Sequence, residues 1–412
     1  MPAGKGQQTH HQRHTLPEAH HGARLVQLTA GDGMHYLPYF YNPHLDAAGE
    51  RLLYVGDHSG SEQPSTRAAG AQGVRGRGAE QAYVLDVASG TATQLTEAQG
   101  RDQHWSPYIR VGIDGIRPQF VAWSQPDWQH ALYWEDNALQ RVHVETLAEE
   151  TIYRLRPDVV PQVLHCSAGG WVSFGYIPCE VQERIRKKLA GGGRMEWDDA
   201  LLERLTRDCG FVVFDLIARR VVTDEHVPFW VNHIQASPAN TRVLFCQEGP
   251  WQRQRMWLYD VSAATWGPLR EQEGGVAIGH EYWLDEATVA YHGTLPDKRG
   301  FFGRIDVTTG ATTETPSAEG ERFYGHYHTS PDGAFVITDG EITSDHVSVA
   351  RLDAERVTFT PIGRHGWVRS KDQRHHPHPH WHQSGQWITF TGCDAQGTQA
   401  LLLDVRALTL PD

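Results

Sequence analysis

The chain is short of cysteine, short of positive charge and without any long apolar run. Its five cysteines, Cys166, Cys179, Cys209, Cys246 and Cys393, are an odd number with no CxxC spacing. That excludes a disulfide framework or zinc ribbon and points to reduced thiols in a cytoplasmic compartment. No stretch approaches the roughly 20 apolar residues of a membrane-spanning helix. Residues 1–22 are polar and His-rich and lack the apolar core of a secretory signal, so they read as a disordered tail. Lys and Arg number 37 against 50 Asp and Glu, and the resulting charge of −13 excludes a general nucleic-acid or anionic-membrane binder. No Gly-x-Ser-x-Gly elbow is present, which argues against a propeller hydrolase. What the chain does have is enough apolar residue for a large core, and 25 histidines that are informative only through their placement.

An internal repeat decides the fold class. Each copy opens on a polar or His-bearing turn, passes a Ser-Pro or Asp-Gly turn, and runs into short β-branched or aromatic strands. It then ends on a Leu-Asp-Val-like edge and a Thr-Gly turn. The edges are Tyr83–Val87, Arg141–Val144, Phe211–Leu216, Met256–Val261, Gly303–Val307, Val347–Leu352 and Ala400–Val405. Short strands at this spacing predict an all-β fold, a seven-bladed β-propeller of four-stranded blades over residues 23–412. Ala23–Thr29 resembles the outermost strand of each unit and is expected to close the ring by joining the last blade. Two segments interrupt the repeat. Residues 59–80 are rich in Gly, Ser, Gln and Arg and read as a loop insertion. Residues 181–207 carry apolar stripes at helical spacing on either side of Gly191–Gly193, which predicts a helical insertion in the third blade. Both could cover one face of the ring or merely decorate it.

A histidine lies just upstream of the first strand of every repeat: His35, His104, His165, His233, His280, His326 with His328, and His376 with His378. In a propeller those positions converge on one mouth of the central channel, a concave place for a ligand. The densest motif is Gln373-Arg374-His375-His376-Pro377-His378-Pro379-His380. His-x-His on extended chain sends both imidazoles to one side, and the prolines stiffen that arrangement. His376 and His378 are therefore expected metal ligands, and His280 in Gly279-His280-Glu281-Tyr282-Trp283 offers a third. Imidazoles without thiolates suit a divalent ion such as Mn²⁺, Fe²⁺ or Zn²⁺ in a non-structural site.

On these residues the chain resembles the oligogalacturonate lyases, cytoplasmic seven-bladed propellers of pectin breakdown. The resemblance spans nearly the whole chain. It includes His35 to Tyr54, Ala92–Thr96, Phe245-Cys246-Gln247-Glu248-Gly249-Pro250 followed by Arg255-Met256-Trp257, Gly279–Trp283 and Gln373–His378. It implies a Mn²⁺ ion held by His280, Gln373, His376 and His378, and a general base at His233. It further implies β-elimination from a uronate oligosaccharide, giving a 4,5-unsaturated product. Neutral imidazole suits the base, since its unperturbed pKa is about 6.5. A divalent cation suits the enolate-like charge. His35, Arg253, Arg255 and His326 are expected near substrate, the arginines as bidentate partners for a uronate.

Two positions depart from the family pattern: Gln247 stands where His follows Phe-Cys, and Cys209-Gly210 where an Arg follows Cys. They leave open a lyase acting on a different uronate-containing glycan. The other class of reading is a non-catalytic propeller that binds a protein or carbohydrate. The oligomeric state is not legible.

Overall fold

A computed structural model describes residues 4–31, 33–57, 80–98, 116–190, 204, 206–248, 253–317, 325–340, 344–352, 355–366, 376–393 and 397–410. The architecture is all-β. Among the described residues, five four-stranded antiparallel sheets follow one another along the chain, each built from four consecutive strands. They run from Val121 to Arg154, Val159 to Val227, Val231 to Pro268, Ala277 to Pro316 and Tyr327 to Arg364. A larger sheet joins the two ends of the chain. In it the strands between Met34 and Gln94 lie beside those between His380 and Asp404, linked by one parallel pair, Thr398 with Met34.

The burial of each strand follows its place in its sheet. Inner and middle strands such as Cys209–Asp215 and Thr398–Asp404 are buried along nearly their whole length, because both faces of the sheet are covered. Hence they read as continuous apolar runs rather than alternating ones. The outermost strands, such as Glu149–Arg154 and Thr312–Pro316, are polar and largely exposed. The core lies between successive sheets. Val213, Trp230 and Phe245 fill one such space, and Ile337, Ile388 and Leu403 another. Leu52 and Leu85 meet Ala400 and Leu402, so the first and last sets of strands pack together as the others do.

The segment Arg24–Gln27 pairs antiparallel with Thr398–Asp404, the terminal pairing expected from the sequence. The described residues ahead of it, from residue 4 on, do not form the disordered tail expected over 1–22. Gln8–His10 pairs with Thr91–Gln94 and His14–Leu16 with Arg24–Gln27. The reason is local packing that composition hides: His11 is buried with Nε2 3.3 Å from the Tyr54 hydroxyl, and Leu16 joins a core cluster. A helix spans Cys179–Ala190 where the first half of the 181–207 insertion was expected. The loop at 59–80, apart from Glu80, and most of the second half of that insertion lie outside the described residues. No described helix is long and apolar enough to cross a membrane.

Candidate active site

Two of the sheets carry a β-bulge in their first strand where a histidine stands. Pairing slips between Asn232 and Gln235 in Val231–Ala236, and between Ile278 and Glu281 in Ala277–Trp283. A bulge leaves its residues outside the ladder and re-aims their side chains, and here the residues released include His233 and His280. His233 and His378 both have φ of +50°, a conformation that non-glycine residues rarely adopt and that concentrates at functional sites.

His233 is 4% exposed and its Nδ1 lies 3.0 Å from the Glu281 carboxylate. Glu281 is fully buried and also accepts from Arg255 Nε at 2.8 Å. Burial pushes the Glu281 carboxyl up, but Arg255 and His233 outweigh it and hold the group below its ordinary value. The carboxylate can only accept, so His233 Nδ1 carries the proton. Arg255 Nη2 lies 3.2 Å from the same nitrogen and would favour the other tautomer, yet the nearer anion decides. Nε2 thus keeps its lone pair and accepts from the Tyr39 hydroxyl at 3.1 Å. Burial, then the charge of Glu248, raises the Tyr39 phenol well above its usual value, so it holds the proton it donates.

Beside this dyad stands a group of imidazoles. The His280 ring lies 5.5 Å from that of His233 at an interplanar angle of 21°, and 4.4 Å from that of His326. His280 Nδ1 bonds the Gly325 carbonyl at 2.8 Å, which again places the proton on Nδ1 and the lone pair on Nε2. Gly279 is required here, because a Cβ would fall 2.2 Å from the His292 ring that backs His280. His326, His376 and His378 bring one nitrogen each to within 4.8 Å of one another. The Nε2 atoms of His326 and His378 are buried without a hydrogen-bond partner among the described residues. Burial first, then the neighbouring imidazoles, keeps His280, His326 and His378 well below the ordinary histidine range. They are neutral at pH 7, the form that binds a metal. Buried, unpaired, neutral nitrogen donors fit a divalent ion of the Mn²⁺ to Zn²⁺ kind.

A second group with donor atoms, His233, Cys246 and Glu281, does not offer the same environment. Arg255 already supplies its cation, and burial raises the Cys246 thiol well above its usual value.

Of the residues singled out in the sequence, His233, His280, His326, His376 and His378 come together. Gln373 and His104 lie outside the described residues. His35 is buried elsewhere, against His11 and Tyr54, with Nδ1 donating to the Thr398 carbonyl at 3.1 Å. Arg253 is exposed. Arg255 differs from expectation: its side chain is 3% exposed and engaged with Glu281 and Glu248, so it serves the His233 dyad rather than a solvent-facing subsite. Sequence reasoning missed Tyr39, Glu281 and Asp339. Tyr39 is central, its ring lying 4.9 Å from His378, 5.3 Å from His233 and 5.6 Å from His326. The one available signal was Glu281 beside His280 in a motif already marked.

Comparison with known proteins places the chain in a family. The oligogalacturonate lyase family matches residues 3–350. An oligogalacturonide lyase of Pectobacterium atrosepticum is 25% identical over 418 residues, covering 95% of each chain. An oligogalacturonate lyase of Dickeya dadantii is 25% identical over 430 residues, covering 97% of each. Among solved structures, an oligogalacturonate lyase in complex with manganese superposes with a TM-score of 0.75 at 22% identity, covering 100% of this chain and 99% of that one. The Vibrio parahaemolyticus oligogalacturonate lyase gives 0.76 at 18%, covering 98% and 100%. The chain belongs to the oligogalacturonate lyase family.

Proposed function

We propose that this protein is a Mn²⁺-dependent lyase that cleaves short, oligogalacturonate-like uronate oligosaccharides by β-elimination. His233 is the base, and His280, Gln373, His376 and His378 hold the metal. One observation carries the reading: a buried histidine whose lone pair is fixed on Nε2 stands against a cluster of imidazoles.

The chain's own residues account for the proton transfer. Substrate displaces the Tyr39 hydroxyl from His233 Nε2, which then takes the C5 proton of the uronate. The C–H electron pair becomes the C4–C5 double bond as the C4–O bond breaks and the glycosyl oxygen departs. Glu281, already bonded to Nδ1–H, stabilises the imidazolium that forms, and Arg255 holds Glu281 in place. The metal, when bound, supplies positive charge for the substrate carboxylate as the enolate-like charge develops. Arg253, which is exposed, is the arginine we assign to a neighbouring uronate.

As to architecture, we read a seven-bladed β-propeller over residues 23–412. The five sequential sheets supply five blades, Met34–Gln94 a sixth, and His380–Asp404 with Arg24–Gln27 the seventh. The Cys179–Ala190 helix is an insertion in the third of them in chain order. Five free cysteines support a cytoplasmic location.

A second reading concerns the sugar. At Gly210, where the family pattern has Arg, a Cβ would meet the Tyr176 hydroxyl and the Glu225 carbonyl at 2.3 Å each. No side chain fits there, so this subsite lacks that cation. A uronate glycan other than galacturonate is the corresponding alternative substrate.

The test is to incubate the purified protein and Mn²⁺ with digalacturonate, trigalacturonate and other uronate oligomers, following absorbance of the 4,5-unsaturated product. Product from galacturonate oligomers supports the first reading, and product only from another uronate the second. Metal-loaded protein that yields none across the panel refutes both.

A further inference from the structure

Asp339 stands behind the imidazole cluster and makes contacts that the proposed chemistry leaves unexplained. It is 6% exposed, and its two oxygens both serve His326: Oδ1 accepts from the backbone N–H at 2.8 Å and Oδ2 faces the ring Nδ1 at 2.8 Å. One buried acid therefore fixes both the backbone and the ring of His326. With Nδ1–H directed at an acceptor, the His326 lone pair sits on Nε2. That atom is buried, has no hydrogen-bond partner among the described residues, and belongs to the set that includes His376 and His378.

A purely structural histidine would not be arranged in this way. Leaving a buried imidazole nitrogen unpaired forfeits its hydration with nothing in return, and here two such atoms, on His326 and His378, lack a partner among the described residues in one place. A carboxylate that orients an imidazole by its far nitrogen is the usual outer support of a metal-bound histidine, since it fixes the tautomer and raises ligand basicity. Gly325 completes the arrangement. Its φ is +97°, a Cβ there would fall 2.2 Å from Asp339 Oδ1, and its carbonyl holds His280.

We infer that His326, oriented by Asp339, is a ligand of the metal, an imidazole additional to those of His280, His376 and His378. Asp339 is a positioning residue. The inference rests on the metal site proposed above, and its test separates the two.

Wild type, His326→Ala, His326→Gln and Asp339→Asn are stripped with chelator and titrated with Mn²⁺. Bound metal is read from the loss of the free-ion electron paramagnetic resonance signal, and coordinated imidazoles from pulsed resonance of the bound ion. Thermal melts of the metal-free proteins establish folding, and His326→Gln, close in volume, serves if the alanine variant does not fold. The expected result is one imidazole fewer in both His326 variants and a Kd raised by more than 100-fold. Asp339→Asn keeps the imidazole count and raises Kd by about 10- to 100-fold, the usual effect of losing an outer carboxylate. Folded His326 variants with wild-type affinity and imidazole count would overturn the inference and leave the metal site standing. Failure of the wild type to bind Mn²⁺ would remove the metal site itself.

Discussion

Replacing Glu281 with Gln tests whether the tautomer of His233 decides activity. The change keeps size and shape but turns one acceptor oxygen into a donor. Arg255 Nε–H lies 2.8 Å from Oε2 and can only donate, so the amide must turn its oxygen toward Arg255. Its NH₂ then faces His233 Nδ1, at the 3.0 Å now spanned by a bond to the carboxylate. That stabilises the ring with Nδ1 bare and the proton on Nε2, where it blocks proton abstraction. Restoring the active tautomer would turn the NH₂ toward Arg255 and leave two buried donors facing each other. At about 1–3 kcal/mol per unsatisfied group, the inactive form is favoured by roughly 2–6 kcal/mol. Since about 1.4 kcal/mol is tenfold in rate, kcat should fall by about 30- to 10⁴-fold. Steady-state kinetics on the unsaturated product would read this loss, with KM and Mn²⁺ content little changed. ¹⁵N shifts of His233 would report the proton moving from Nδ1 to Nε2. The double variant with His233→Ala should be no slower than His233→Ala alone, because the two act as a unit. A folded Glu281→Gln enzyme with kcat within threefold of wild type would refute the argument.

Other outcomes follow from the same contacts. Arg255→Met leaves Glu281 buried without its arginine counterion and should cost about 3–5 kcal/mol in denaturant unfolding, the penalty for breaking a buried ion pair. Gly210→Ala places a methyl against Tyr176 and Glu225 and should cost about 1–3 kcal/mol, measured by urea titration. Burial lowers His44 and His165 to about 3 and His365 to about 4, so each is neutral when folded and protonates near 6.5 when unfolded. Between those limits the unfolded chain binds more protons. Stability is therefore complete above pH 6.5 and falls on acidification, by up to about 1.4 kcal/mol per pH unit for each group. Unfolding free energies that stay flat from pH 7 to pH 5 would contradict this. Removing metal should lower the melting temperature, and Mn²⁺ at about 100 times its Kd should restore about 2.7 kcal/mol, visible in calorimetry as a concentration-dependent midpoint.

The sheets were legible because covered sheets leave a signature in composition. Runs such as Phe211–Phe214 and Leu401–Leu403 are apolar on both faces, and the turns between them recur at even spacing. The pairing of Ala23–Thr29 with the last strand was legible for the same reason: the segment looks like the strand whose place it takes. The first 22 residues were not. Their short strands depend on His11 reaching Tyr54 and Leu16 reaching a distant core, and a His-rich composition carries no trace of either contact.

The site divides along a similar line. The histidines were found because they recur at one point of each repeat, a regularity visible in a single chain. What makes them chemically competent did not recur. Each imidazole has its Nδ1–H fixed by a different acceptor: the Glu281 carboxylate for His233, the Gly325 carbonyl for His280, the Asp339 carboxylate for His326. These partners stand 48, 45 and 13 residues away, in no common motif and of no common residue type. They are equivalent only in what they do, which is to accept one hydrogen bond from behind and turn a lone pair inward. Arg255 is the converse case. A charge that reads as a substrate contact is, once Glu281 is known to be buried, required as its counterion. Histidine position is thus fixed by the repeat, while histidine chemistry is fixed by individual long-range acceptors. Substitutions at those acceptors should therefore alter activity or metal affinity while leaving the repeat intact.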